Sequence, residues 1–232
     1  MTRPRRPYPT WRRWLSYVAD QTLEEGAGDV TDHLRVLLRR GRIVLEVEGA
    51  VYSWEDNYYN FREAFRQLDW DRLPGDRCLL LGLGLGCVPQ IAEEHFGRRL
   101  RYTAVEYDET VAALAERYLL YRLTSPVTTV VADAGAFVAQ DSGEYDLILV
   151  DLFVEDQVPE AFETADFLHA LAERLAPGGC LVSNRMAFLP AHRERTERYV
   201  ERVFTKVFPS ASSLDVRSNL MLYSDGRFQL ER

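Results

Sequence analysis

The chain is short of the residues that staple or metallate a fold. Its three cysteines, Cys78, Cys87 and Cys180, form no C-x-x-C pair and each lies in an apolar stretch, which reads as core and excludes a disulfide framework. A reducing, cytoplasmic setting is the natural expectation. The four histidines, His33, His95, His169 and His192, make no H-x-x-x-H or H-E-x-x-H spacing, so no metal is assigned. Long apolar runs are missing too: the longest, Cys78 to Ile91, is broken by three glycines and Pro89, so no membrane partner is expected. The Arg-rich start leads into an amphipathic segment rather than an apolar one, which argues against a signal peptide. Ser142-Gly143 reads as a loop turn and not as a G-x-S-x-G nucleophile elbow. Neither internal repeats nor low-complexity stretches occur.

Basic charge is also in deficit. Lys and Arg number 28 against 36 Asp and Glu, a net charge of -8, which argues against broad binding to a nucleic-acid backbone. The local exception is the start, where Arg3, Arg5, Arg6, Arg12 and Arg13 crowd beside Pro4, Pro7 and Pro9. Such a cluster could dock an acidic partner, but a solvated tail is the preferred reading. The Arg and Glu residues between Arg193 and Arg202 read as a salt-bridged exposed helix face.

What the chain does have is 232 residues at 47% hydrophobic content, enough for one full core. Trp11, Trp14, Leu15, Val18 and Leu23 recur at helix-like intervals and predict an amphipathic helix from about Thr10 to Glu24. Alternation at Leu34, Val36 and Leu38, a turn at Gly41, and alternation at Ile43, Leu45 and Val47 predict a hairpin, extended by Val51 to Trp54. Tyr58 to Leu68 reads as helix, and Leu73-Pro74-Gly75-Asp76 punctuates its end. We therefore divide the chain into a helix-plus-hairpin element, 1–75, and a main domain, 76–232.

Beyond Gly75 short apolar runs alternate with amphipathic helices. The runs are Cys78 to Gly82, Tyr102 to Glu106, Val127 to Val131, Leu147 to Asp151 and Cys180 to Asn184. Helices start near Gly86, Asp108, Ala134 and Thr164, the pattern of a parallel sheet covered on both faces. A last helix, from about Arg193 to Phe208, precedes an antiparallel pair at Ser213 to Val216 and Leu220 to Tyr223.

The chemistry-bearing residues fall at the ends of those runs. Leu79-Leu80-Leu81-Gly82-Leu83-Gly84-Leu85-Gly86 is a buried strand ending in a glycine-rich turn before a helix, where backbone can approach a ligand and helix N–H groups are free. With Cys87 where a dinucleotide fingerprint wants glycine, G-x-G-x-G fits better than G-x-G-x-x-G, which disfavours an NAD-dependent oxidoreductase. Glu106 ends the next strand, where a carboxylate can accept from two ribose hydroxyls. Asp133 ends the third, in reach of an adenine amino group, and Asp151 stands at the mouth of the fourth. Each has a plain structural alternative: Glu106, Asp108 and Asp133 could be helix N-terminal charges or caps. Together they mark the carboxyl edge of an open sheet, where such folds bind ligands.

On these motifs the chain resembles the spermidine-synthase-like branch of class I S-adenosylmethionine-dependent transferases. The likeness runs from about Gly41 to Tyr223, through Gly82-x-Gly84-x-Gly86, Val105-Glu106-Tyr107-Asp108, Asp133-Ala134, Val150-Asp151, Leu175-Ala176-Pro177-Gly178-Gly179 and Asn219-Leu220-Met221-Leu222. It implies a Rossmann-like α/β fold with a seven-stranded sheet whose last strand is antiparallel, a small N-terminal β-element over the site, and often a homodimer. It also implies a sulfonium nucleoside, S-adenosylmethionine or its decarboxylated form, held by Gly82, Leu83, Gly84, Gly86, Glu106, Tyr107, Asp133, Ala134 and Asp151, with Asp151 as the base that deprotonates an attacking amine.

Several positions depart from the aminopropyl pattern. Leu85 replaces the Asp expected to hold the cationic propylamine end, and the second acid of the polyamine motif falls at Val154. Tyr52 replaces a nucleotide-binding Gln, Asn57-Tyr58 an Asp-Glu pair, and Phe61 a substrate-binding Tyr, while Glu63 is retained. The remaining acceptor set, Tyr52, Tyr58, Tyr59, Glu63, Glu155 and Asp156 with Trp54 beside it, suits a compact small-molecule acceptor, although the aromatics could simply pack the hairpin onto the main domain. The expectation is a transferase moving methyl in preference to aminopropyl. Its alternatives are an aminopropyltransferase and a non-catalytic nucleotide-binding module.

Overall fold

The computed structural model describes residues 6–28, 32–48, 50–153 and 157–230. It opens on helix α1, Thr10–Leu15, and strand β1, Gln21–Gly26. The helix expected to reach Glu24 therefore stops nine residues early. Its end is fixed by Ser16, whose hydroxyl donates to the Arg13 carbonyl at 2.6 Å and accepts from the Gly41 N–H at 2.8 Å. Trp11, Trp14 and Val18 of the periodic set are exposed, so no core rewards a longer helix, and residues 21–26 gain a strand partner instead.

That partner is β2, Leu34–Arg39, which turns at Arg40 and Gly41 into β3, Arg42–Val47; β4, Ala50–Trp54, completes an antiparallel sheet in the order β1-β2-β3-β4. Both turn residues have positive φ, 49° and 77°, as a two-residue hairpin requires. Leu34, Val36, Leu38, Ile43 and Leu45 form the buried face of this sheet. Helix α2, Tyr59–Gln67, follows a single turn at Glu55–Asn57 and packs Phe61 and Phe65 against the main sheet.

The main sheet begins at β5, Arg77–Leu81, followed by α3, Cys87–Phe96; β6, Arg101–Glu106; α4, Glu109–Tyr118; β7, Val127–Val131; and α5, Ala134–Gln140. Then come β8, Tyr145–Val150; α6, Ala165–Arg174; β9, Leu175–Met186; and α7, Pro190–Tyr199, which runs on through a π-helical stretch at Val200–Phe204. Strands β10, Ser212–Val216, and β11, Asn219–Tyr223, close the sheet in the order β10-β11-β9-β8-β5-β6-β7. Strands β5 to β9 are mutually parallel, and β11 is antiparallel to both neighbours.

Two apolar layers cover the sheet. Leu80, Ala104, Leu149 and Val182 point toward α2 and α3, while Leu79, Val105, Ile148 and Leu181 point toward α5, α6 and α7. Strand order reverses between β5 and β8, so a crevice opens at their carboxyl ends, directly after Leu81 and Val150. Against the hairpin sheet pack Leu85 and Cys87 together with Val111, Leu114 and Tyr118 of α4, and this seats the N-terminal sheet beside that crevice.

Candidate functional site

Because Leu81 and Val150 are register partners, Gly82 and Asp151 leave the sheet side by side. The glycines of the turn are there for different reasons. Gly82 has φ 90°, and a Cβ on it would stand 2.2 Å from the Asp151 carbonyl oxygen; Gly86 has φ 88°, and its Cβ would meet Leu120 Cδ2 at 2.5 Å. Both are required by the chain's own packing. At Gly84, φ 51°, a Cβ would meet nothing nearer than Ser53 Oγ at 3.6 Å, so this one glycine faces open space that a ligand can use.

Glu106, at the end of β6, is buried directly behind the glycine turn. Its carboxylate accepts from the Gly84 N–H at 2.9 Å, the Tyr107 N–H at 2.9 Å and the Asp108 N–H at 3.2 Å. Burial pushes its pKa up, and those backbone donors pull it back only in part. It braces the glycine turn and the entry to α4, with lone pairs left for a sugar hydroxyl. Asp108 and Asp133 act as N-caps: Asp108 accepts from Thr110 and Val111 N–H, and Asp133 from Ala136 N–H at 2.8 Å. Tyr107 is exposed and Ala134 is buried, the latter against the α5 and α6 layer.

A cavity of about 190 Å³ lies between the glycine turn, β4 and the end of β9. Among the described residues Asp151 is its one acid and no Lys, Arg or His lines it. The Tyr58 hydroxyl donates to both Asp151 oxygens, at 3.0 and 2.8 Å, and the Asn184 amide donates at 2.9 Å. Asn184 is itself held by the Asn219 amide at 2.9 Å. Desolvation raises the Asp151 carboxyl to about 6, against the bonds from Asn184 and Tyr58 and with a further push from Glu106. Burial likewise lifts the Tyr52 and Tyr58 phenols well above their ordinary range, so both remain donors; Tyr52 gives its proton to the Phe153 carbonyl at 3.2 Å. Cys87, in contact with Ser53 Oγ at 2.8 Å, is pushed up to about 12 by burial and is a wall rather than a nucleophile.

The structure thus brings Gly82, Leu83, Gly84, Tyr52, Tyr58 and Asp151 to one cavity. Tyr59 sits on an adjoining opening, beneath the Arg217 guanidinium at 4.1 Å. Glu63 lines neither opening: it pairs with Arg66 on the outer side of α2. Trp54 also turns away, stacking under Arg39, while the bulge where Leu45 and Glu46 face Ser53 and Val51 lets Val51, Tyr52 and Ser53 all reach the cavity wall. Glu155 and Asp156 lie outside the described residues. Sequence reasoning missed Asn184, Asn219 and Ser53. The available signal for Asn184 was its place at the end of an apolar run, as with Glu106 and Asp151.

No family model matches the chain. Among curated proteins it is 31% identical over 106 residues to a probable polyamine aminopropyl transferase of Bifidobacterium longum (strain NCC 2705), covering 46% of this chain and 23% of that one. It is 31% identical over 130 residues to the polyamine aminopropyltransferase of Vibrio vulnificus (strain CMCP6), covering 54% and 43%. With putrescine N-methyltransferase 1 of Nicotiana tabacum it shares 28% identity over 179 residues, 71% and 45% of the two chains. The chain thus spans less than half the length of these relatives. In structure it matches a probable spermidine synthase from Corynebacterium glutamicum ATCC 13032 with a TM-score of 0.68 at 19% identity, over 86% of this chain and 78% of that one. It also matches human methyltransferase-like protein 13 in complex with SAH, with a TM-score of 0.56 at 20% identity over 76% and 82%. The chain therefore has the class I methyltransferase fold and is similar, in sequence and in structure, to its spermidine-synthase-like branch.

Proposed function

We propose that the chain is a transferase that moves the aminopropyl group of decarboxylated S-adenosylmethionine to a small amine. This reverses the order expected from Leu85 and Val154. The observation that carries it is the cavity's charge: one desolvated carboxylate, Asp151, and no cation on the described wall, which suits a ligand whose free end is an ammonium and offers no counter-charge to a ligand carboxylate. The two aminopropyl transferase relatives weigh the same way. When bound, the nucleoside supplies the activated carbon next to a sulfonium. The glycine turn and Glu106 would hold its ribose side. Asp151, oriented by Tyr58 and Asn184, would take the proton from the incoming ammonium, whose nitrogen then displaces methylthioadenosine as the carbon–sulfur bond breaks. A homodimer and a cytoplasmic setting belong to the same reading.

Methyl transfer from S-adenosylmethionine is the second reading, favoured by Leu85. That residue is fully buried among Val36, Leu38 and Leu45, so the position expected to hold the propylamine end carries no charge. Mass spectrometry of putrescine incubated with the chain and each nucleoside separates the two by the group gained. No product with either nucleoside, across putrescine, cadaverine and spermidine, would leave the non-catalytic module.

A further inference from the structure

A larger cavity, about 580 Å³, opens on the other side of β4 and α3, between the N-terminal arm, the β2–β3 turn and Arg122. Its walls carry five arginines, Arg6, Arg13, Arg40, Arg42 and Arg122, against three acids, Glu55, Asp56 and Glu94. The acids are already engaged. Asp56 holds Arg42 at 2.5 Å, Glu55 holds Arg122 at 2.8 Å, and Glu94 accepts from the Gln90 amide at 2.8 Å. Arg6, Arg13 and Arg40 have no carboxylate bonded to them among the described residues, and with Glu94 keeping its charge the described wall carries a net two positive charges.

The donors converge. A Cβ placed on Gly41 would meet Tyr17 Oη at 2.7 Å and Arg13 Nε at 3.2 Å, so both side chains lean over the same turn. Arg6, Arg13 and Arg122 all act electrostatically on the Tyr8 hydroxyl. On the inner wall two buried polar atoms have no partner: the Arg122 Nε donor and the Oε1 acceptor of Gln90, a residue only 2% exposed. Both atoms are closed to solvent as placed, so the cavity's claim on a ligand is its net positive charge.

We propose that this cavity binds a phosphate-type oxyanion, at a site separate from the candidate transferase cavity. Hydrogenphosphate has the required charge, with its oxygens available to the arginine forks. The chain's cations suit it, since Lys206 is its sole lysine and arginine presents the planar fork that matches phosphate. Glu55, on the inner wall, follows Ser53 by two residues, and Gln90 shares α3 with Cys87, so the floor of this site is the back wall of the other. The proposal does not depend on the transferase reading.

The test is calorimetric titration of the full chain with inorganic phosphate against chloride at matched ionic strength. One phosphate should bind per chain, and thermal stability should rise with phosphate and not with chloride. Arg122→Gln would also break the Glu55 pair, so the decisive variants are Arg13→Gln and Arg40→Gln nearer the surface. Each should weaken phosphate at least about tenfold while leaving phosphate-free melting and nucleoside-induced stabilisation unchanged. Equal effects of phosphate and chloride, or wild-type phosphate affinity in both variants, would overturn the site.

Discussion

Asp151 has its carboxyl raised to about 6 by a desolvation that the bonds from Asn184 and Tyr58 do not offset, and the same shift has opposite consequences for activity and for stability. A carboxyl whose folded pKa lies above its unfolded value binds its proton more tightly in the native state. Stability is therefore highest below the unfolded value and declines as pH rises toward 6, by about 3 kcal/mol in all. Asp151→Asn is expected to melt higher than the parent at pH 7.5, with the gain gone near pH 4, while group transfer falls at least about 100-fold. In the parent kcat/KM should fall below about pH 6 as the base is protonated. Tyr58→Phe removes a donor to that carboxylate, so the acid limb should move to higher pH; a limb that stays put would separate Tyr58 from Asp151. The glycines split on the same principle of local geometry. Gly82→Ala drives a Cβ into a backbone carbonyl and is expected to cost more than about 4 kcal/mol in urea unfolding. Gly84→Ala, with open space around it, should cost about 1–2 kcal/mol yet abolish stabilisation by the nucleoside.

Between elements, β9, α7 and the turn before α6 are joined through Glu163. Arg185 of β9 is 3% exposed, stacks 4.2 Å from the Tyr199 ring and pairs with Glu163, which also holds Arg195 at 2.6 Å. Burial would raise the Glu163 pKa, but the bonds from Arg195 and Arg185 outweigh it and hold the group below its ordinary value. A depressed carboxylate stabilises above its unfolded pKa and loses that contribution as pH falls through the folded one. Glu163→Gln should therefore cost about 3 kcal/mol at pH 7 by leaving Arg185 buried and uncompensated, and the difference from the parent should shrink below pH 4. The charge alternation along α7 was legible, and the Arg198–Glu194 pair fits it, but alternation could not reveal that Arg195 turns inward. The parallel strands were legible for a related reason: doubly covered strands read as continuous apolar runs, and β5, β6 and β8 each lead to a glycine or acid at the crevice, Gly82, Glu106 and Asp151. What stayed hidden depends on pairing between distant segments. The Asn219–Asn184–Asp151 relay exists because β11 docks antiparallel on β9, placing Asn219 opposite Met186, and no local pattern encodes that register. The shortened α1 failed in the opposite sense, since its apolar stripe is real but faces water.

At the scale of the whole molecule, ligand choice follows from how little charge the candidate cavity holds. The chain carries a net charge of -8, and the described wall adds one carboxylate and no cation to about 190 Å³. S-adenosylmethionine would bring its own carboxylate into this space with no counter-charge to meet it. The decarboxylated form brings its ammonium and sulfonium without a carboxylate, a charge that Asp151 can oppose. Its advantage should be at least about tenfold in affinity, or about 1.4 kcal/mol. Native-state ligands stabilise by about 2.7 kcal/mol at a hundredfold excess over Kd, and a chain of this size gains about 2–4 °C per kcal/mol. Decarboxylated S-adenosylmethionine at that excess should therefore raise the melting temperature by about 5–10 °C, and S-adenosylmethionine at equal concentration should raise it by several degrees less. A larger shift with S-adenosylmethionine would make methyl transfer the leading reaction, because a cation reaching the site would then have to be pairing its carboxylate; Arg217, on the adjoining opening, is the first to replace. Absence of a shift with either nucleoside would remove the transferase reading while leaving the phosphate site standing, since the two cavities share no lining residue.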